Sequence, residues 1–231
     1  MLIPVLNDFL ELFYPSLCIT CGERLVSQEK FICLKCWQDL PVSRYHLDPD
    51  NKVAQLFWGR VRVEHATACF IYRKGSRYQK LIHSIKYRGM KELGYVSGRR
   101  FGGMLTESDG FKTVDVVVPV PLHPGKEKKR GYNQSEWIAR GIAESLHKPL
   151  SCCNIQRVKN TATQTRKSRF GRWQNVEGIF RVKHPEAWIK KHILLVDDVV
   201  TTGSTLEACA REILKIAGTR VSVSTLAYAA L

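Results

Sequence analysis

No run of residues in this chain approaches the 18 or more apolar positions that cross a bilayer, which excludes a helical membrane span. The first residues also lack the basic start and apolar stretch of a secretory signal, so the expected location is the cytoplasm. Low-complexity tracts and internal repeats are absent, as is the Gly-x-Gly of a dinucleotide fingerprint. Acidic residues are scarce: 21 Asp and Glu stand against 36 Lys and Arg, leaving a formal charge of +15 that favours polyanionic partners. What remains is a globular chain of 231 residues, 44% hydrophobic, enough for a normal core in one or two domains.

The rest of the chain is organised around Ile193-Leu194-Leu195-Val196-Asp197-Asp198-Val199-Val200-Thr201-Thr202-Gly203-Ser204-Thr205. Four successive apolar residues predict a strand buried on both faces, as in a parallel sheet, with the two aspartates at its solvent-facing end. Thr201 to Thr205 then open a helix expected to run to about Ala217. Unpaired backbone N–H groups and hydroxyls at a positive helix start make a cradle for phosphate. Paired carboxylates beside it can accept hydrogen bonds from the neighbouring hydroxyls of a ribose. The stretch lacks the Gly-Lys pair of a Walker loop, and a sugar phosphate suits it better.

Cys18, Cys21, Cys33 and Cys36 form two Cys-x2-Cys knuckles eleven residues apart, the spacing that brings four thiolates around a tetrahedral zinc ion. With all four ligands cysteine no position is left for water, so the zinc is expected to be structural, stapling roughly forty residues that cannot build a core alone. Ahead of it, residues 2–14 place apolar groups at helical spacing and are expected to dock on the protein's own body. Cys69, Cys152, Cys153 and Cys209 have no second knuckle spacing and are expected to be buried bystanders.

Strands are expected over Ala66–Tyr72, Val114–Val118, Pro149–Lys159 and Val221–Ala227, and helices over Ser76–Lys86 and onward from Gly131-Tyr132-Asn133-Gln134. Between Arg73 and Lys91 lie seven basic residues and no acidic one, interleaved with tyrosines. Charge for a backbone beside stacking faces for bases suits single-stranded nucleic acid, with Lys80, Lys86 and Arg88 as candidate contacts. A second basic stretch, Arg157 to Arg172, is expected to be a mobile loop able to fold over a bound polyanion. Pro119-Val120-Pro121-Leu122-His123-Pro124-Gly125 forms a rigid loop ahead of Lys126, Lys128, Lys129 and Arg130, a further anion site.

The central stretch resembles the phosphoribosyl pyrophosphate motif of type I phosphoribosyltransferases at every position. With Pro119 to Pro124, Arg130-Gly131-Tyr132-Asn133-Gln134, Gln164-Thr165, Arg172, Asn175 and the four-cysteine module, nearly the whole chain is similar to the ComF family of bacterial competence proteins. Lys126 and Lys128 depart from its usual arginine, Tyr132 from phenylalanine and Lys167 from an apolar residue. The resemblance implies an α/β fold: a type I phosphoribosyltransferase-like parallel sheet flanked by helices over residues 60–231, behind a zinc-ribbon-like module over residues 1–45. It implies that Asp197 and Asp198 hold the ribose and its cation. Thr201, Thr202, Gly203, Ser204 and Thr205 would take the 5′-phosphate, with Val199 and Val200 also among the residues that bind phosphoribosyl pyrophosphate. Pro121, Leu122, His123, Lys126, Arg130, Asn133 and Gln134 would meet the pyrophosphate, with Mg²⁺ bridging, and Gln164, Thr165, Arg166, Arg172 and Asn175 would belong to the flexible loop. The implied work is handling incoming single-stranded DNA in natural transformation, alongside a competence helicase. An active transferase with an unidentified acceptor and a sensor without turnover are the alternatives.

Overall fold

The computed structural model describes residues 15–159 and 178–230. The expected helix over residues 2–14 and the loop residues Gln164, Thr165, Arg166, Lys167, Arg172 and Asn175 lie outside them.

Four parallel strands form the central sheet in the order β1–β6–β5–β2: β1 Ala66–Tyr72, β2 Val116–Pro119, β5 His192–Val200 and β6 Arg220–Ala229. Parallel neighbours need crossovers, and these supply helices to both faces. Alternation along β5 separates two cores. Leu194 and Val196 face helices α3 (Gln79–Tyr87), α4 (Lys91–Leu105) and α7 (Gln134–Leu146), whereas Ile193 and Leu195 face α8 (Ser204–Ile213). A two-stranded antiparallel flap, β3 Ile155–Arg157 with β4 Phe180–Val182, covers the α8 side through Ile155 and Phe180.

The aspartates do not end β5. Asp197 pairs with Thr225 and Val200 with Tyr228, because β6 continues to Ala229 and gives the extension a partner. The helix after the phosphate loop stops at Ile213 and not near Ala217, turning through Gly218 at φ +69° to enter β6. Pro149–Lys159 is not one strand: Leu150 bridges Val117 in parallel, and the chain then turns before β3 pairs with the flap.

Five of the described helices were not expected from the pattern. Lys52–Gln55 (α2), capped by Asn51, buries Val53 on the α8 face. Pro124–Arg130 (α6) has His123 as its cap, proline in its first turn and Gly131 at φ +83° closing it. The long α4 carries Gly94, Gly98, Gly102 and Gly103, which lower helix propensity. These glycines admit α7: a Cβ at Gly98 would land on the Ile138 carbonyl, and one at Gly141 on the Tyr95 carbonyl. The remaining short helices are α1 (Leu34–Gln38) and α5 (Asp109–Lys112).

The four-cysteine module does not stand apart. Cys18, Cys33, Cys36 and Ile32 share one buried cluster with Phe70, Tyr78 and Phe101. Beyond it, Val42 bridges Phe70 antiparallel at the outer edge of β1.

Candidate functional site

The loops after β2 and β5 leave the sheet at the same end, because Pro119 pairs with Val196 and the Val120 amide donates to the Val196 carbonyl at 2.9 Å. Ligands of open parallel sheets bind at this end. The start of α7 reaches it too: Ser135 Oγ donates to Asp197 Oδ1 at 2.8 Å, and the Asp198 amide donates to the same oxygen at 2.9 Å.

Asp198 is buried, not solvent-facing, at 4% exposed. Its Oδ1 meets Lys86 Nζ at 2.9 Å, while Oδ2 is buried with no partner among the described residues. Burial first, then the Asp198 carboxylate, push the half-buried Asp197 carboxyl up to about 7, against the pull of Ser135 and Lys86. Burial pulls the Lys86 ammonium down, but Asp198 and Asp197 more than offset it, and the group ends above the ordinary lysine value. An orphaned buried carboxylate oxygen beside a second carboxylate is the hard-oxygen set that Mg²⁺ favours, so the residues present fit the ion.

Beyond the carboxylates, Gly203 at φ +74° caps α8 and exposes Thr201, Thr202, Ser204 and Thr205 around the helix start. The left-handed turn asks for glycine, and a Cβ there would also press on the Phe57 ring at 3.1 Å. Arg60 holds the loop from behind: its Nη1 donates to the Thr202 and Leu56 carbonyls at 2.8 Å, and its Nη2 pairs with Glu207. Val200 is buried, so it can offer a ligand only its backbone.

The proline loop divides by role. Pro121, Leu122 and His123 are half-buried, and Lys126 is exposed. His123 Nδ1 accepts from the Gly125 amide at 3.2 Å. Asn133 is a buried cap: its Oδ1 accepts from the Ser135 amide and its Nδ2 donates to the Val120 carbonyl, both at 3.1 Å. Gln134, also buried, accepts from Arg130 Nη1 at 2.6 Å. Arg130 itself lies 5.2 Å over the Tyr87 ring. The basic end of α6 therefore adjoins the end of α3, joining two stretches about forty residues apart in sequence.

Of the three candidate nucleic-acid contacts, Lys80 and Arg88 are exposed, with Tyr87 between them in sequence also exposed at 63%. Lys86 instead belongs to the carboxylate site. Arg157, half-buried and 5.6 Å over the Phe180 ring, is within electrostatic reach of Asp197. Ser135, Arg60 and Arg157 were missed as site residues. Arg60 and Thr202 stand 142 positions apart, and no local pattern links them.

The cysteines gather as their spacing requires, with the Sγ atoms of Cys18, Cys21, Cys33 and Cys36 all within 4.8 Å of one another. Burial pushes the Cys18 thiol up, but amides of Cys21, Cys33 and Thr20 pull it down to about 6, favouring the thiolate a metal needs. Burial raises Cys33 and Cys36 instead. Among the remaining four, Cys69 and Cys209 are buried as expected, whereas Cys152 is half-buried and Cys153 exposed. No helix among the described residues is long and apolar enough to cross a membrane.

Comparison with known proteins finds two family matches in the chain. Residues 9–46 match the family described as the double zinc ribbon domain, and residues 133–230 the phosphoribosyl transferase domain. Only four cysteines fall within 9–46, enough for one all-cysteine tetrahedral site. The chain is 33% identical over 146 residues to the DNA utilization protein YhgH of Salmonella typhimurium, covering 62% of this chain and 63% of that one. It is 33% identical to competence protein F of Haemophilus influenzae over 52% of each chain. With competence protein ComFC of Bacillus subtilis it shares 28% identity over 91% of its own length and 82% of the other's. The matched stretches thus span less than two thirds of the first two relatives.

Proposed function

We propose, for a chain homologous to competence proteins F and ComFC and built from a zinc ribbon and a phosphoribosyl transferase domain, that it binds phosphoribosyl pyrophosphate with Mg²⁺ and handles incoming single-stranded DNA. The observation that carries the first part is the buried Oδ2 of Asp198, without a partner among the described residues, beside the open loop at Thr201–Thr205. Asp197, oriented by Ser135, would accept the ribose hydroxyls together with Asp198. The hydroxyls and amides at the start of α8 would take the 5′-phosphate, and Lys126 and Arg130 the pyrophosphate. Bound Mg²⁺ would neutralise charge gathering on the pyrophosphate as its bond to the sugar weakens. Arg157, near Asp197, stands where it would close the site from the flap. Whether turnover follows depends on an acceptor that no side chain here specifies; a sensor without turnover uses the same groups.

Ser204→Glu separates ligand binding from folding. Ser204 is exposed in the first turn of α8, where a carboxylate favours the helix but repels a phosphate. The variant should melt at or slightly above the parent and lose the calorimetric heat of phosphoribosyl pyrophosphate with Mg²⁺. Parental affinity in this variant would sink the assignment.

The DNA reading is favoured by exposed Lys80 and Arg88, with Tyr87 between them in sequence 63% exposed although Arg130 lies over its ring. Each neutralised phosphate of a single strand contributes about −0.7 to the log–log salt slope, so Lys80→Ala with Arg88→Ala should reduce it by roughly 1.4. A parental slope in an oligonucleotide titration would leave the charge as surface only. Placement in the cytoplasm and partnership with a competence helicase belong to the same proposal.

A further inference from the structure

Lys86 belongs to the carboxylate site but comes from neither the loop after β5 nor the proline loop. It sits in the last turn of α3, with Leu81, Ile82 and Ile85 of that helix buried. The helix end is fixed from two sides: the Tyr132 hydroxyl donates to the Ile85 carbonyl, and Arg130 covers the Tyr87 ring. The ammonium is thereby held 2.9 Å from Asp198 Oδ1, with the lysine side chain 23% and the aspartate side chain 5% exposed.

A lysine head is a compact point charge, and here it occupies one carboxylate oxygen of a pair that fits a divalent ion. The other oxygen of Asp198 has no partner among the described residues, while Asp197 is already engaged by Ser135 and a backbone amide. A free dication entering this site must either displace the ammonium or sit beside it, and the like charge opposes both. A metal already chelated by pyrophosphate meets a different balance, since it brings negative oxygens to which a flexible lysine can transfer.

We propose that Lys86 is a tethered counter-cation: it holds Asp198 against free divalent metal and passes to the pyrophosphate when the metal arrives bound to it. The hand-over rests on the reading of the site as one for phosphoribosyl pyrophosphate; the hold on Asp198 does not. No bond is made or broken, and one cation replaces another at a carboxylate.

The test uses Mn²⁺ as the probe, followed by the paramagnetic signal of the free ion. The intact protein should bind Mn²⁺ alone weakly and Mn²⁺ with inorganic pyrophosphate more tightly. Lys86→Met, which keeps the length and removes the charge, should tighten binding of Mn²⁺ alone by about tenfold or more, and Lys86→Arg should not. Unchanged or weaker Mn²⁺ binding by Lys86→Met overturns the proposal. Should that variant fail to fold, the intact protein still decides: equal Mn²⁺ affinity with and without pyrophosphate overturns it. A tightened Lys86→Met in a protein that does not bind phosphoribosyl pyrophosphate supports the hold on Asp198 and overturns the sugar-phosphate reading instead.

Discussion

Cys33→Ser should empty the metal site and lower the melting temperature of the whole chain. Cys33 supplies one of four thiols within 4.8 Å of one another, caps the short helix Leu34–Gln38, and is buried in the cluster that holds Phe70, Tyr78 and Phe101. Three remaining thiols bind zinc far more weakly, and binding energy of a structural zinc is folding energy, on the order of 10 kcal/mol in isolated fingers. The ribbon is also tied to the body by Arg77 on Asp39, Lys30 on Glu92 and the Tyr78 hydroxyl on the Cys36 carbonyl. Its loss should therefore expose β1 and α3 as well. Elemental analysis should give about one zinc per parent chain and well under one for the variant, with soluble yield collapsing in step. A variant that keeps its zinc, or loses it and melts as the parent does, would refute the structural role.

Gly98→Val should cost about 3 kcal/mol by overpacking, which for a domain of this size is a fall in melting temperature of roughly 6–12 °C. Even the first added carbon collides with the Ile138 carbonyl, which is backbone and cannot step aside. Gly103 in the same helix supplies the control: it is exposed, and a Cβ there meets nothing within 4 Å. Gly103→Ala should hold or raise stability by about 0.5–1 kcal/mol, because alanine is the better helix former. Equal melting of the two variants would mean that α4 and α7 are not packed backbone to backbone.

The helix most central to that packing left the weakest trace in the sequence. Lys91–Leu105 carries four glycines, which argue against a helix locally and for one only when a second helix must come close. By contrast β5 announced itself, since four apolar residues buried on both faces are what a central parallel strand requires. Its end was misplaced because the extension past Asp197 depends on β6, a partner that is remote in sequence. The same division runs through the site. The carboxylates, the Thr201–Thr205 turn and the four thiols each lie within a short ordered spacing, and the thiols gather as that spacing requires. Lys86 read as a nucleic-acid contact because nothing near it in sequence reveals that α3 ends over β5. Ser135 was hidden for the same reason, its partner Asp197 lying 62 positions away.

The order of strands has a consequence for synthesis. β6, the last strand made, lies inside the sheet between β1, the first made, and β5. Until residues 220–229 have left the ribosome, β1 has no parallel neighbour and β5 lacks one of its two. A growing chain can fill the zinc ribbon early, but it must carry unpaired apolar strand edges until β6 emerges, and it then closes the sheet by a contact spanning some 150 residues. Newly made copies are thus most exposed to aggregation and to proteases in the seconds before the final strand arrives.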